Sequence, residues 1–287
     1  MKPTRSLIAL GLAFALLLPP LLASPADDTS PAAAPVPANI LPAEPAPPPP
    51  ETVVPETSEI VPAPPPPLPA LTAFKAEYRF TRNRFHLANL IRRLKPLGND
   101  RYQFSSETEA VGPLALFLRD TVSDQSTLAV INGRLQPVHY LYLHQRSKDP
   151  LRTEFTFDWS TSTVSGISKN RPLPPTAVPA DTQDKLSYQL LMMLDLMAGK
   201  QELHYPLQED KGLRDYIFDV VGHETMTTRI GRLDTVKLMR RNDKRQSTFW
   251  CAEKLNYLPV KFTQIEKDGA LLELELTSVS NLPWPRR

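Results

Sequence analysis

The segment Asp181–Gly199 is the one long stretch of the chain with a clear helical period. Asp181 or Thr182 is expected to cap its start, and Asp184 adds negative charge to the first turn. Gly199 is expected to end the helix, because glycine accepts the left-handed conformation in which helices end. The apolar residues recur at spacings of three and four and share one face: Leu186, Leu190, Met193, Leu194 and Met197.

The segments on both sides of this helix have the patterns of antiparallel strands. Apolar and charged side chains alternate in Phe74–Thr81, as expected for a half-buried strand. Asn132 and Gly133 separate two further strand-like runs, and both accept the positive φ of a tight hairpin. A single amphipathic helix among strands must lie against a sheet to bury its apolar face. Consecutive hairpins predict a mainly β fold, an antiparallel curved sheet or open half-barrel packed on one principal α-helix.

Two regions beside the helix carry more local predictions. The proline-rich stretch Pro172–Pro179 is predicted to be a loop that leads into the helix. Beyond the helix, Arg214–Val221 and Glu224–Arg229 are predicted as two separate strands.

Residues 1–26 have the order of a secretory signal peptide. Lys2 and Arg5 precede the apolar run Leu7–Leu18, and Ser24 and Ala26 suit the positions before a cleavage site. This predicts export and a periplasmic location. An uncleaved segment that anchors the protein in the inner membrane is the alternative; otherwise the protein is expected to be peripheral to the membrane.

Residues 27–72 are predicted to be a disordered, proline-rich tether. They are mostly Pro, Ala, Val, Glu and Thr, with four consecutive prolines at Pro47–Pro50 and at Pro64–Pro67. Such a composition cannot bury enough apolar surface to fold, and its prolines favour the extended polyproline II helix. A docking peptide for a polyproline-reading module is the alternative. Residues 73–287 are predicted to form a single β-rich domain.

No motif for catalysis, a metal or a cofactor stands out in the sequence. It contains no nucleophile elbow, no phosphate-binding glycine-rich loop and no dinucleotide fingerprint. The histidines do not fall at metal-ligand spacings. The lone cysteine, Cys251, cannot form an intramolecular disulfide and is expected to be buried. Nucleic acid is not expected as a partner of an exported chain whose basic stretch, Lys237–Arg245, has no interleaved aromatic residues.

An ordered set of segments resembles a known bacterial family. The segments are FKAEYRF, INGRLQPVHYLY, FDWS, QDKLS, VVGHETMTTRIGRLDTVKLMR, TFWCAEKLNYLPVKF and KDGALLEL. In order and spacing the chain resembles the domain of unknown function family 3108 over about residues 73–282. The resemblance implies an exported, mostly periplasmic protein of Gram-negative bacteria. It also implies an antiparallel β half-barrel with a helix, similar in outline to lipoprotein-carrier folds, and no catalytic residues to carry over.

Two groups of residues are candidates for binding. The helix is apolar nearly all round, and methionine suits irregular apolar contacts, so one wall of a lipid-sized cavity could be formed by Met192, Met193, Leu194 and Met197. A deeply buried helix that plugs the half-barrel is the alternative and the default interpretation. A basic hairpin tip could contact an anion, although a solvated turn is the default interpretation. Its residues are Arg240, Arg241, Lys244 and Arg245.

The sequence leaves three classes of function open. The first is a non-catalytic envelope protein that binds an apolar or amphipathic ligand such as a lipid. The second is a tethered protein–protein interaction module in envelope assembly. The third is an unrecognised hydrolase, which requires perturbed carboxylates or a histidine-paired nucleophile that converge in a cleft.

Overall fold

The computed structural model describes residues 71–112, 115, 121–145 and 149–282. The predicted signal segment, nearly all of the predicted tether and most of a helical turn predicted at Pro113–Arg119 lie outside these residues. Within the described ranges, no helix has the length and apolar character needed to cross a membrane.

The described residues form one antiparallel sheet of fourteen strands. Its first eight strands are β1 Phe74–Arg82, β2 Phe85–Gly98, β3 Arg101–Ala110, β4 Thr121–Ile131, β5 Arg134–Gln145, β6 Leu151–Asp158, β7 Thr163–Ser168 and β8 Arg171–Ala177. The helix α1, Ser187–Met197, follows. The remaining strands are β9 Glu202–Glu209, β10 Gly212–Thr228, β11 Gly231–Arg240, β12 Thr248–Ala252, β13 Leu258–Ile265 and β14 Leu271–Ser280.

The first and last strands lie side by side at the centre of the sheet. Each strand pairs with the next along the chain except β8 and β9, and β14 returns to pair with β1. Tyr78 of β1 therefore lies between Leu90 of β2 and Leu276 of β14. The two outermost strands, β8 and β9, are the ones that α1 connects. This arrangement confirms the predicted antiparallel sheet packed on a principal helix.

The helix α1 packs on one face of the sheet, which we call the inner face. The Tyr188 ring lies 5.6 Å from the ring centroid of Tyr216 and 6.1 Å from those of Tyr205 and Phe218. All four rings are buried, and such aromatic contacts add about 0.5–1.5 kcal/mol each beyond the burial of apolar area. The aromatic side chains of β9 and β10 thus hold the first turn of the helix.

The start of the helix differs from the prediction. It begins at Ser187, because Gln183 is held in a short bridge to β9: its N–H donates to the Pro206 carbonyl at 2.8 Å. Asp184 supplies the hydrogen bonds expected of Asp181 or Thr182, since its Oδ1 accepts from the Ser187 N–H at 2.7 Å. The end of the helix is as predicted, with Gly199 at a φ of 78°.

Two predictions beside the helix were wrong. Most of the proposed loop Pro172–Pro179 is the edge strand β8, since an edge strand accepts prolines where no neighbour needs their missing N–H. The two strands predicted within Arg214–Arg229 are one long strand, β10, whose register with β11 shifts between Val220 and Gly222. A bulge of this kind bends a strand without ending it.

Asp210, in the turn between β9 and β10, joins the two halves of the sheet. Its carboxylate accepts hydrogen bonds from Lys185 Nζ at 2.9 Å and from Thr153 Oγ1 of β6 at 3.0 Å. Its backbone carbonyl accepts one from Ser168 Oγ of β7 at 2.7 Å. The β9–β10 turn therefore contacts β6 and β7 directly, which requires the sheet to be curved.

Candidate functional site

A row of polar side chains crosses the inner face of five neighbouring strands. Its members lie directly opposite one another in the strand register, and we call them the polar row: Arg92 of β2, Ser106 of β3, Asp124 of β4, Tyr142 of β5 and Thr153 of β6. Strands lie about 4.8 Å apart, so these residues form one continuous strip. Ser126, two residues beyond Asp124 on the same face, donates to Asp184 ahead of α1, which places the strip beneath the helix region.

Arg92 places a positive charge inside the sheet. The residue is only 8% exposed, and its guanidinium carbon lies 5.3 Å from the centroid of the Tyr78 ring. The Tyr78 hydroxyl donates to the Pro259 carbonyl at 3.0 Å, which fixes that ring. Among the described residues no carboxylate forms an ion pair with Arg92, and its Nε has no hydrogen-bond acceptor.

The contact with Tyr78 does not offset the cost of burying Arg92. A guanidinium stays charged in proteins, and removing an ion from water costs several kcal/mol even in a relaxed interior. A cation–π contact returns only about 2 kcal/mol when it is desolvated. Arg92 is therefore a buried cation that no carboxylate of the described residues contacts, and Asp124, two strands away, acts on it only at longer range.

Asp124 is the carboxyl group of the polar row, separated from Arg92 by Ser106. It faces inward and is half-buried, and its Oδ1 accepts a hydrogen bond from Tyr140 Oη at 2.6 Å. Burial raises the pKa of Asp124 to about 6, although the Tyr140 hydrogen bond and the charge of Lys185 oppose the rise. Asp124 therefore exchanges its proton close to neutral pH.

Asp184 is a second inward carboxyl group, but its surroundings give it a structural role. Ser126 Oγ donates to its Oδ2 at 2.6 Å, and its Oδ1 accepts from the Leu186 and Ser187 N–H groups. Burial raises the pKa of Asp184, and these hydrogen bonds counter the rise in part. Asp184 ties β4 to the start of α1.

Further buried polar atoms near the start of α1 have no hydrogen-bond partner in the described residues. They are Thr182 Oγ1, Gln183 Oε1, Tyr188 Oη and Gln189 Oε1. The positive charge of Arg92 lowers the pKa of Tyr188 against the larger effect of burial, so the two groups are in electrostatic range of each other. A buried polar group without a partner costs about 1–3 kcal/mol. Each of these atoms can therefore gain from a hydrogen bond to another molecule.

Comparisons with known proteins identify the family. The model of the protein family of unknown function DUF3108 matches residues 77–277, which include the whole polar row. The chain belongs to the DUF3108 family. A comparison with curated proteins gives no match.

Two solved structures resemble the DUF3108 chain. One is the β-barrel-like protein of the domain of unknown function DUF1849 from Brucella abortus, with a TM-score of 0.50 and 10% identity. That match covers 73% of this chain and 98% of the other, and it supports the β-barrel-like fold alone. The other is a protein from Parabacteroides distasonis whose name describes it as a lipoprotein. Its TM-score is 0.32 and its identity 10%, and the match covers 74% of this chain and 97% of the other.

The apolar residues proposed as a cavity wall lie in the interior of this DUF3108 domain. Met192, Met193 and Leu194 are buried, and Met197 is half-buried. This burial is what the alternative, a helix that plugs the half-barrel, also requires. Ligand contact by these residues therefore stays a prediction.

The basic residues proposed to contact an anion are mostly engaged with their neighbours. Arg241 pairs with Asp219 at 2.5 Å and Glu202 at 3.0 Å. Cζ of Arg240 lies 3.3 Å from the centroid of the Tyr216 ring. Nη1 of Arg245 lies 3.6 Å from Glu266 Oε1, and Lys244 is exposed. The four basic side chains do not converge on one site, and anion binding by them also stays a prediction.

The lone cysteine and the possible metal ligands are the remaining candidates of the sequence analysis. Cys251 is buried as expected, and burial raises the pKa of its thiol well above the ordinary range. Within the described residues, no three histidine, cysteine, aspartate or glutamate side chains are grouped as metal ligands would be. The sequence analysis missed the polar row, because Arg92 and Asp124 become neighbours only through the register of β2, β3 and β4.

Proposed function

We propose that this DUF3108 protein is an exported, non-catalytic envelope protein that binds an amphipathic ligand, such as a lipid, on the inner face of its sheet. The observation that carries the proposal is the polar row, with Arg92 and Asp124, set among the buried apolar side chains of the same strands beneath α1. A ligand with one polar end and an apolar body matches such a surface.

Energetics favour an amphipathic ligand over a purely apolar one. Burying an acyl chain gains about 0.8 kcal/mol per CH₂ group, which the apolar strand faces and α1 can supply. The polar end can accept a hydrogen bond from Tyr188 Oη and donate one to Gln189 Oε1, atoms that have no partner in the described residues. An entirely apolar ligand would leave these atoms, and the Arg92 charge, unsatisfied.

The N-terminal sequence is consistent with a role in the envelope. The signal-like residues 1–26 support export to the periplasm, and the proline-rich residues 27–72 support a tether that holds the domain away from its attachment point. If residues 1–26 stay uncleaved, the protein is anchored to the inner membrane. A tethered protein–protein interaction module is the function that we would turn to if no ligand binds.

Adjacent serines of β3 provide a matched test. Ser106 belongs to the polar row, whereas Ser105 faces outward, opposite Arg93 and Gln125. We would titrate the full chain and its Ser106→Leu and Ser105→Leu variants with a fluorescent lysophospholipid, and check folding by near-ultraviolet circular dichroism. We expect Ser106→Leu to bind at least tenfold more weakly and Ser105→Leu to bind like the parent. Absence of binding by the parent chain, or unchanged binding by a folded Ser106→Leu variant, would overturn the proposal.

A further inference from the structure

We propose that the polar end of the ligand is an anion, a phosphate or a carboxylate, and that Arg92 is the residue that binds it. This inference rests on the proposed function and names the chemical class of the ligand. It is carried by the position of Arg92, which is buried in the interior without a counter-ion among the described residues.

Comparison with the neighbouring arginine shows what is unusual about Arg92. Arg93 faces the outside of the same strand, where its Nη1 lies 2.8 Å from Glu107 Oε2. Two buried carboxylates of this domain also have partners of opposite charge, Asp210 in Lys185 and Glu209 in Arg214. Arg92 has instead the flat face of Tyr78, which orients the guanidinium without neutralising it.

Ser106, the residue directly opposite Arg92 on β3, is small, and its hydroxyl forms no hydrogen bond with the described residues. Beyond it lies Asp124, at a backbone distance of about 10 Å from Arg92, two strand spacings away. A guanidinium offers a planar fork of N–H donors that matches two oxygens of a phosphate or a carboxylate. The anion would thus lie above Ser106, between Arg92 and the half-buried Asp124.

Binding and structural roles for Arg92 predict opposite effects of its removal. If Arg92 stabilises the fold, a methionine in its place lowers Tm. If Arg92 is kept for a ligand, methionine fills the same volume without a buried charge, and the ligand-free variant is at least as stable as the parent. Stability without ligand is therefore a readout separate from binding.

The test compares amphiphiles that share one acyl chain. We would measure binding of an anionic lysophosphatidylglycerol, a neutral monoacylglycerol and inorganic phosphate to the full chain and to its Arg92→Met, Arg92→Lys and Arg93→Met variants. We expect the parent and Arg93→Met to prefer the anionic lipid at least tenfold. We expect Arg92→Met to keep its Tm without ligand and lose this preference, and Arg92→Lys to keep part of it.

The outcomes separate this inference from the proposed function. Equal binding of both lipids by the parent, or an anionic preference that persists in Arg92→Met, overturns the role of Arg92 and leaves amphiphile binding intact. Binding of phosphate through Arg92, with neither lipid bound, supports the anion site and identifies a free anion in place of a lipid. Failure of the parent to bind any of the three probes overturns both.

Discussion

Lys185 Nζ lies 2.9 Å from Asp210 Oδ2 and so connects the segment before α1 to the turn between β9 and β10. Both side chains are largely buried, at 10% and 3% exposure. Lys169, which is 37% exposed, is more distant from the same oxygen at 3.4 Å. The Lys185–Asp210 pair therefore fixes the segment before α1 to the turn that also contacts β6 and β7.

Removing one partner of this pair should destabilise the domain strongly. We expect Lys185→Met to lose about 3–5 kcal/mol, because it leaves the Asp210 carboxylate buried without its main counter-ion. Lys169→Met is the matched control and should lose less than about 1 kcal/mol. Urea unfolding would measure both. Similar decreases in the free energy of unfolding for the two variants would show that the Lys185 contact stabilises the domain no more than the Lys169 contact does.

Substitution of Asp210 tests whether the lost stability comes from the Lys185–Asp210 interaction itself. Asp210→Asn alone leaves the Lys185 charge buried without its partner, whereas the double variant Lys185→Met with Asp210→Asn leaves no buried charge of this pair, and Lys169 is solvent-exposed. We therefore expect the double variant to be more stable than the sum of the single losses predicts, by at least about 1 kcal/mol. Simple additivity in urea unfolding would contradict this expectation.

The carboxyl group of Asp124 should make stability depend on pH in an unusual direction. Burial raises its pKa from 3.8 to about 6, so the folded state holds the proton more tightly than the unfolded state does. The stabilising effect of this proton is present below about pH 4 and is lost as the pH rises to about 6. Asp124→Asn removes this loss, so the variant should gain stability relative to the parent between pH 4 and pH 7.5. Parallel stability profiles for the two proteins would contradict the pKa assignment.

The same proton should affect the binding of an anion beside Arg92. The charged and titratable groups around Asp124 are Tyr140, Lys185, Asp184 and Arg92. Protonation removes the repulsion between the Asp124 carboxylate and an anion bound at Arg92, and over a separation of about 10 Å this repulsion corresponds to roughly tenfold in affinity at an effective dielectric constant of about 20. We expect anionic lysolipid to bind more tightly at pH 5 than at pH 7.5, and Asp124→Asn to reduce this difference. An affinity that does not change with pH in the parent would argue against a site next to Asp124.

Gly166 in β7 should not tolerate a side chain. Its φ is 139°, and a Cβ atom there would lie 2.2 Å from the Glu154 backbone carbonyl oxygen of β6. We expect Gly166→Ala to destabilise the fold by at least about 2 kcal/mol, because the clashing atom belongs to the backbone of a paired strand. Gly222→Ala is the control, since nothing lies within 4 Å of a Cβ atom at that position. Thermal unfolding that gave equal Tm values for both variants would contradict this view of the β6–β7 pairing.

Local patterns predicted much of the architecture and little of the site. The alternation in Phe74–Thr81 and the positive φ values accepted by Asn132 and Gly133 are properties of neighbouring residues, and both features were predicted correctly. The edge strand β8 was missed because its prolines are acceptable only at an edge, and edge position is a property of the whole sheet.

The polar row is harder to recognise for the same physical reason. Arg92 and Arg93 are adjacent in sequence and look alike, yet one is buried in the sheet and the other pairs with Glu107 outside. Which of the two faces inward depends on the register of β2 with β1, and a shift of one residue would exchange them. Asp124 becomes part of the site only because β3 supplies a small residue, Ser106, between it and Arg92.

The most direct test of ligand binding is native mass spectrometry of the full chain after export and purification from a Gram-negative host, followed by solvent extraction. The proposed function predicts a co-purified amphiphile at near-unit stoichiometry, reduced in folded Ser106→Leu and retained in Ser105→Leu. The role of Arg92 predicts that the extracted molecule is anionic and is depleted in Arg92→Met. A ligand-free mass, together with no uptake of added envelope lipids, would contradict the account and direct the search to protein partners.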